Sequence, residues 1–346
     1  MKSTFPTWHP AESGEPDPSR LLRLGRRGIR AGRLIVAWIV LGIRLGRVRP
    51  RAVIFSHWRF TFEPLFVAFY SRLFPATTFS LIAHEPFPRS DAKDTSTEKS
   101  GRVLSWSFRT AWRSLDSAFV LGSRTRQLVI DQWRPRCDVA VIPHGDEDAL
   151  RSVATATAIP RPSESDAVVL FFGTWTAYKG IDDLLDAFRL VRRQYPAAQL
   201  TMAGAVGADI DVSTVLDTAR AVGNVETYPG YVPSEQVAAL VASSRIVVAP
   251  YIRASQSGVV HLAYTFGRPV VATTVGDIED VVTDGHNGLL VPPHDPQALS
   301  DAMLTLLRDP ELSDRLGTNG QKDIDGAWAE AAGIIAETLA RTGSAK

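Results

Sequence analysis

What most restricts this chain is a rhythm in which short apolar runs rich in β-branched residues return at intervals, with helix-periodic stretches between them. A first series comprises AVIFSH (52–57), TFSLIAHE (78–85), SAFVLGS (117–123) and VAVIPHG (139–145). A second comprises AVVLFFG (167–173), AQLTMAG (198–204), VETYPG (225–230), RIVVAP (245–250), PVVAT (269–273) and GLLVPP (288–293). Strands this uniformly apolar are buried on both faces, and their alternation with helices predicts parallel sheets built from βαβ units. At 346 residues the chain is long enough for two such domains. The stretch SVATATAIPRPSESD (152–166) reads as the linker between them. The expected organisation is a first domain over 1–155, a second over 156–318, and a helical tail over 319–346 that packs back toward the first. The second series suffices for a doubly wound domain. The first lacks an opening strand, because residues 4–18 are turn-rich and those after them read as helix.

Charge is unevenly distributed despite a net value of +1. From Arg20 to Arg51 there are ten arginines (20, 23, 26, 27, 30, 33, 44, 47, 49 and 51), and no acidic residue occurs between Pro18 and Phe62. Inside this stretch lies LIVAWIVLGI (34–43), about half the ~20 residues a membrane-spanning helix requires. Two readings stand: a core helix with solvated arginines, or a helix resting on an anionic membrane surface. With 45% hydrophobic and 22% charged residues, neither a disordered chain nor a polytopic membrane protein is favoured. No nucleic-acid partner is expected. Cys137, the single cysteine, permits no internal disulfide and fits a reducing, cytoplasmic setting.

Two loops carry the chemistry. RIVVAP and PVVAT, taken as successive parallel strands, enclose the polar sequence Ala254-Ser255-Gln256-Ser257-Gly258, which then lies at the carboxyl ends of the strands where open α/β sheets bind ligands. Ser257 and Gly258 fall at a helix start, whose free N–H groups favour an anion; an ordinary capped turn is the alternative. In FFGTWTAYKGIDDLLDAF (171–188), Gly173 ends a strand and Lys179 precedes a helix, placing a cation on the same sheet edge. The pair suits a diphosphate. The Asp-x-Asp of ADIDV (208–212) reads as a solvated loop.

These blocks, with LTMAGAVG, VETYPGYVPSEQVAALVASSRIVVAPY and ASQSGVVHLAYTFGRPVVATTVGDIEDVVTDGHNGLLVPPHDPQALSDAM, resemble the donor domain of GT-B glycosyltransferases of the retaining family-4 type, over residues 166 to about 318. The resemblance implies two Rossmann-like domains facing across a cleft, here with the opening strand missing from the first, and a nucleotide diphosphate-sugar donor with no cofactor and no metal. It assigns the donor phosphates and sugar to Gly173, Thr174, Lys179, Arg253, Ser255, Gln256, Ser257, Gly258 and Val259, and the nucleoside to Gly204, Tyr231 and Val232. His84, ending a strand of the more weakly matching first half, is expected at the cleft with Lys179 as the catalytic pair; His57 and His144 also end strands. Two features depart from the pattern. No acid occurs from Pro250 to Val275, so the usual pair of glutamates is absent, as in the TQSG variants of the family. Thr174 stands where an arginine is usual, leaving Arg253 or Arg268 to supply that cation. The expected acceptor is a glycan or lipid-linked molecule, as in polysaccharide biosynthesis, with the protein peripheral on the inner face of the plasma membrane. The competing readings are a non-catalytic GT-B protein that binds a nucleotide or protein partner, and a nucleotide-sugar epimerase.

Overall fold

The computed structural model describes residues 20–56, 58, 62–84, 86, 87, 102–156 and 167–344, with side chains from residue 31 onward except those of 154–156. His57 and the side chains of Arg20, Arg23, Arg26, Arg27 and Arg30 lie outside this set, as does most of the 152–166 linker.

The first domain runs α1 (Arg20–Val48), β1 (Ala52–Phe55), α2 (Glu63–Leu73), β2 (Thr78–Ala83), α3 (Arg102–Trp112), β3 (Ser117–Val120), α4 (Ser123–Trp133), β4 (Val139–Val141) and α5 (Asp148–Ala156). Its four strands are parallel and ordered β1-β2-β3-β4, so the sheet has no reversal of strand order among the described residues. The second domain continues with β5 (Val168–Phe172), α6 (Ile181–Gln194), β6 (Gln199–Gly204), α7 (Val212–Val222), β7 (Val225–Pro229), α8 (Ser234–Ser243), β8 (Ile246–Ala249), α9 (Gly258–Thr265), β9 (Val270–Thr273), β10 (Gly288–Val291), α10 (Pro296–Arg308) and α11 (Pro310–Asp323). Its six parallel strands are ordered β10-β9-β8-β5-β6-β7. The chain builds outward from β5 through β7, then returns to the other side of β5 with β8. The switch point therefore falls between β5 and β8, which pair through Val169–Ile246 and Leu170–Val247.

Local sequence accounts for these elements. Ile181, Leu184, Leu185, Phe188 and Val191 recur at helical spacing and are all buried on the sheet, while Asp182 and Asp183 in the first turn of α6 and Arg192 and Arg193 in the last oppose its dipole. Asp295 and Asp309 cap α10 and α11, accepting from the amides of Ala298 and Leu312 at 2.9 Å, each with proline next in sequence. Asp211 likewise caps α7, and its neighbour Asp209 accepts from the Ala177 amide at 2.9 Å, so the Asp-x-Asp serves turns of the backbone.

Two further elements join the domains. The helix α12 (Ala327–Ser344) packs Ala331 against Phe119 and Ile142 of the first domain, and α5 packs against α8 of the second. On α1, Ala37, Trp38 and Leu45 are buried; the Trp38 indole donates to Glu63 at 3.2 Å, and Tyr70 donates to the Trp38 carbonyl at 2.5 Å. The opposite face is apolar too: Ile35, Val36, Ile39, Val40 and Ile43 are each between 40% and 59% exposed. Among the described residues, no helix is long and apolar enough to cross a membrane.

Candidate functional site

The loops leaving β5 and β8 are locked together at the switch point. Gly180 is left-handed at φ 68°, and a Cβ there would lie 1.8 Å from the Pro250 carbonyl oxygen, so only glycine permits the approach. The Ile252 amide donates to the Tyr178 carbonyl at 2.8 Å across the same junction. Lys179, at the end of the short 3-10 turn Ala177–Lys179, is thereby placed with its ammonium 3.5 Å above the Tyr251 ring and 5.4 Å from that of Tyr178. Cation–π contact holds the charge. Burial pushes the lysine pKa down to about 8, and among the described residues no carboxylate pairs with it. An incompletely solvated cation without a counter-charge is built to meet an anion.

Tyr251 links this lysine to the polar loop. Its hydroxyl lies 3.0 Å from Ser257 Oγ, its carbonyl accepts from Thr273 Oγ1 at 2.5 Å, and burial pushes its pKa up to about 12. Ser257 is the N-cap of α9 but makes no side-chain capping bond, because its hydroxyl is turned toward Tyr251. The helix therefore presents its start without a side-chain cap. Gly258 is exposed there with nothing within 4 Å of where a Cβ would be, and Val259 Cγ2 lies 3.8 Å from the corresponding position on Gly173. Lys179, Gly173, Ser257, Gly258 and Val259 thus gather on the loops leaving β5 and β8, at the carboxyl edge where a switch point opens a crevice in an α/β sheet. Ser255 and Thr174 are exposed, and Tyr231 is 80% exposed beside Val232. Gly204 packs its backbone against the Gly173 carbonyl, where a Cβ would stand 1.9 Å from the oxygen. Arg253 lies 6.0 Å from the Tyr178 ring at the crevice side, whereas Arg268 is buried immediately before β9, at the amino edge of the sheet. Of the two proposed replacements for the missing arginine, only Arg253 is on the correct edge.

The first domain meets this loop directly. The carbonyl of exposed His84, following β2, accepts from Gln256 Nε2 at 3.4 Å. His144, after β4, packs its ring 4.2 Å from that of His261 on α9 and 5.0 Å from Trp328 on α12. Burial lowers the pKa of His144, and burial followed by repulsion from His144 lowers that of His261 to about 4, so both rings are neutral near pH 7. His261 Nδ1 lies 3.2 Å from the Ser257 carbonyl, which fixes the loop from below. Sequence reasoning missed His261 and Tyr251. The signal for His261 was its place one turn into a helix whose start is polar; Tyr251 had none beyond adjacency to a strand end. Cys137 is half-buried, with its thiol pushed up to about 12 by burial, and is no nucleophile at neutral pH. Among the described residues, no three His, Cys, Asp or Glu side chains group as a metal site.

Gly258→Val tests whether the crevice admits a ligand close to the backbone. The open space at this Cβ predicts a folded protein with an unchanged melting temperature and loss of anion binding in a calorimetric titration with nucleoside diphosphates. Unaltered binding would make the loop a plain turn.

Residues 166–309 match the family described as Glycosyl transferases group 1. Alpha-D-kanosaminyltransferase from Streptomyces kanamyceticus is 31% identical over 153 residues, 44% of this chain and 39% of that protein. Phosphatidyl-myo-inositol mannosyltransferase from Mycobacterium leprae is 32% identical over 216 residues, 60% of this chain and 55% of that protein. The matched region thus spans about half or less of these relatives' length. Among solved structures, sucrose-phosphate synthase from Thermosynechococcus elongatus superposes with a TM-score of 0.69 at 19% identity, over 91% of this chain and 78% of that one. Anabaena HepE in complex with UDP gives a TM-score of 0.68 at 18% identity, over 88% and 82% respectively. The fold is GT-B, and its second domain matches the group 1 glycosyl transferases.

Proposed function

We propose that this chain is a retaining, metal-independent glycosyltransferase that moves a hexose from a nucleotide diphosphate-sugar to a glycan or lipid-linked acceptor. The observation that carries this reading is the buried Lys179 ammonium, paired with no carboxylate among the described residues, beside the side-chain-uncapped start of α9 at the switch point between β5 and β8. The donor diphosphate would sit there, with Arg253, Ser255 and Gln256 toward its sugar and with Gly204, Tyr231 and Val232 toward the nucleoside. That HepE was solved with UDP supports this donor class. As the glycosyl–oxygen bond breaks, its electron pair passes to the leaving phosphate. Lys179 and the α9 amides stabilise the charge that grows there more than they do the ground state. The acceptor hydroxyl then bonds to the anomeric carbon on the face being vacated and gives its proton to a phosphate oxygen. This route needs no carboxylate base, so the acid-free stretch from Pro250 to Val275 is compatible with turnover. His84 would orient the acceptor or donor sugar at the cleft.

Thermal-shift measurement with UDP-, GDP-, ADP- and dTDP-sugars tests the donor class, because a ligand that binds only the folded state raises the melting temperature. At least one should stabilise the protein and be cleaved when the acceptor is supplied, with retained anomeric configuration in the product. Stabilisation without turnover would favour the competing reading of a non-catalytic nucleotide-binding chain, for which the missing acids speak. We also infer a cytoplasmic, peripheral attachment to anionic membrane through α1, on the strength of its arginines and its exposed apolar face.

A further inference from the structure

A pair of acids, Asp277 and Asp280, follows the polar loop and is turned toward the first domain. The segment after β9 rides on the polar loop: the Asp277 amide donates to the Ser255 carbonyl at 2.9 Å, and Gly276, left-handed at φ 62°, would place a Cβ 1.8 Å from the Ala254 carbonyl oxygen. From there both side chains cross to the first domain. Asp277 Oδ1 accepts from the Thr125 amide at 3.0 Å, and its Oδ2 accepts from the Thr125 hydroxyl. Asp280 Oδ2 accepts from the Ser123 amide at 2.6 Å and from the Ser123 hydroxyl at 2.8 Å. These are the first-turn donors of α4, whose own N-cap is Gly122 and offers no side chain. That glycine is required: a Cβ would lie 2.1 Å from Asp277 Cγ. The helix is thus capped in trans, by residues more than 150 positions away on the other domain.

We propose that Asp277 and Asp280 are positioning residues that make closure of the cleft and formation of the anion cradle one event. The proposal deepens the donor-binding reading, on which its functional meaning rests. The electrostatics explain why the pair belongs at this place. With the cleft open, two carboxylates on a segment that the Asp277 amide ties to the 254–258 loop present negative charge beside a site for a diphosphate. With the cleft closed, the positive end of α4 and four donors absorb that charge, and Asp277 becomes buried. The same contact pins the loop through the Asp277 amide.

Hydrogen exchange followed by mass spectrometry tests this on the full chain without any ligand, so its outcome does not depend on which donor binds. Thr125→Val, in the first domain, should speed exchange at the Ser123 and Thr125 amides and also across 254–258 in the second domain, by roughly tenfold, the effect of one lost charge-assisted bond. Thr125→Ser should restore both, and amides of α6 should be unchanged in all variants. Asp280→Asn, at an exposed position, should act like Thr125→Val and serves if the latter does not fold. Faster exchange at Ser123 and Thr125 with an unaltered 254–258 loop would overturn the proposal, as would no change at either place. A negative nucleotide panel, by contrast, would remove the transferase reading and leave the exchange coupling standing.

Discussion

Lys179→Met should lower affinity for the cognate nucleoside diphosphate by one to two orders of magnitude, and donor turnover with it. The expectation follows from the loss of a charge-assisted contact worth roughly 1.5–3 kcal/mol. Methionine keeps the aliphatic stem against Tyr251, so the fold should hold. The pH dependence adds a signature. In the free protein the ammonium pKa is about 8 because burial disfavours the charged form, and binding an anion raises it. Affinity should therefore be full below pH 8 and decline as the pH rises through and beyond it, with proton uptake on binding in that range. In the methionine variant this dependence should vanish. Equal affinity in mutant and wild type, measured by titration calorimetry at pH 7 and pH 9, would remove Lys179 from the site.

The second large effect concerns α1. Its exposed stripe of Ile35, Val36, Ile39, Val40 and Ile43 is flanked by the exposed arginines Arg33 and Arg47, and the region lacks acids entirely. Each basic residue near an anionic bilayer contributes about 1 kcal/mol, so Arg33→Glu with Arg47→Glu should reduce adsorption to anionic vesicles roughly 100-fold or more. This component should fade as salt shortens the Debye length. Ile39→Ser with Ile43→Ser should remove a second component that persists at high salt, since it comes from apolar side chains entering the headgroup boundary. Co-sedimentation with anionic and neutral vesicles across a salt series measures both. No preference for anionic vesicles at low salt would contradict the membrane assignment.

How far the sequence reveals these features depends on whether they are local. The ten strands among the described residues all lie within runs readable from the chain, and those buried on both faces leave continuous apolar stretches such as VVLFF and IVVA, each followed by a glycine or proline. The polar knot at 254–258 was legible for the converse reason: polar residues interrupting a buried run mark a sheet edge. Relations between distant residues were not legible. LIVAWIVLGI is apolar all round, so periodicity could not say that Trp38 is buried and Ile39 exposed; α2 decides that. Arg268 and Arg253 looked equivalent as candidate cations, yet one precedes a strand and the other follows one, which puts them at opposite edges of the sheet. Tyr251 became meaningful only when Gly180 brought Lys179 onto its ring. Asp277 looks like an ordinary loop acid until α4, 152 residues earlier, is seen to lack a cap of its own.

The central claim is that a diphosphate binds between Lys179 and the start of α9. A crystal structure of the protein with the nucleoside diphosphate selected by the thermal-shift panel tests it most directly. The phosphates should accept hydrogen bonds from the Gly258 and Val259 amides and from Lys179 Nζ, with the nucleoside against Gly204 and Val232. Nucleotide bound elsewhere, with this crevice empty, would contradict the account.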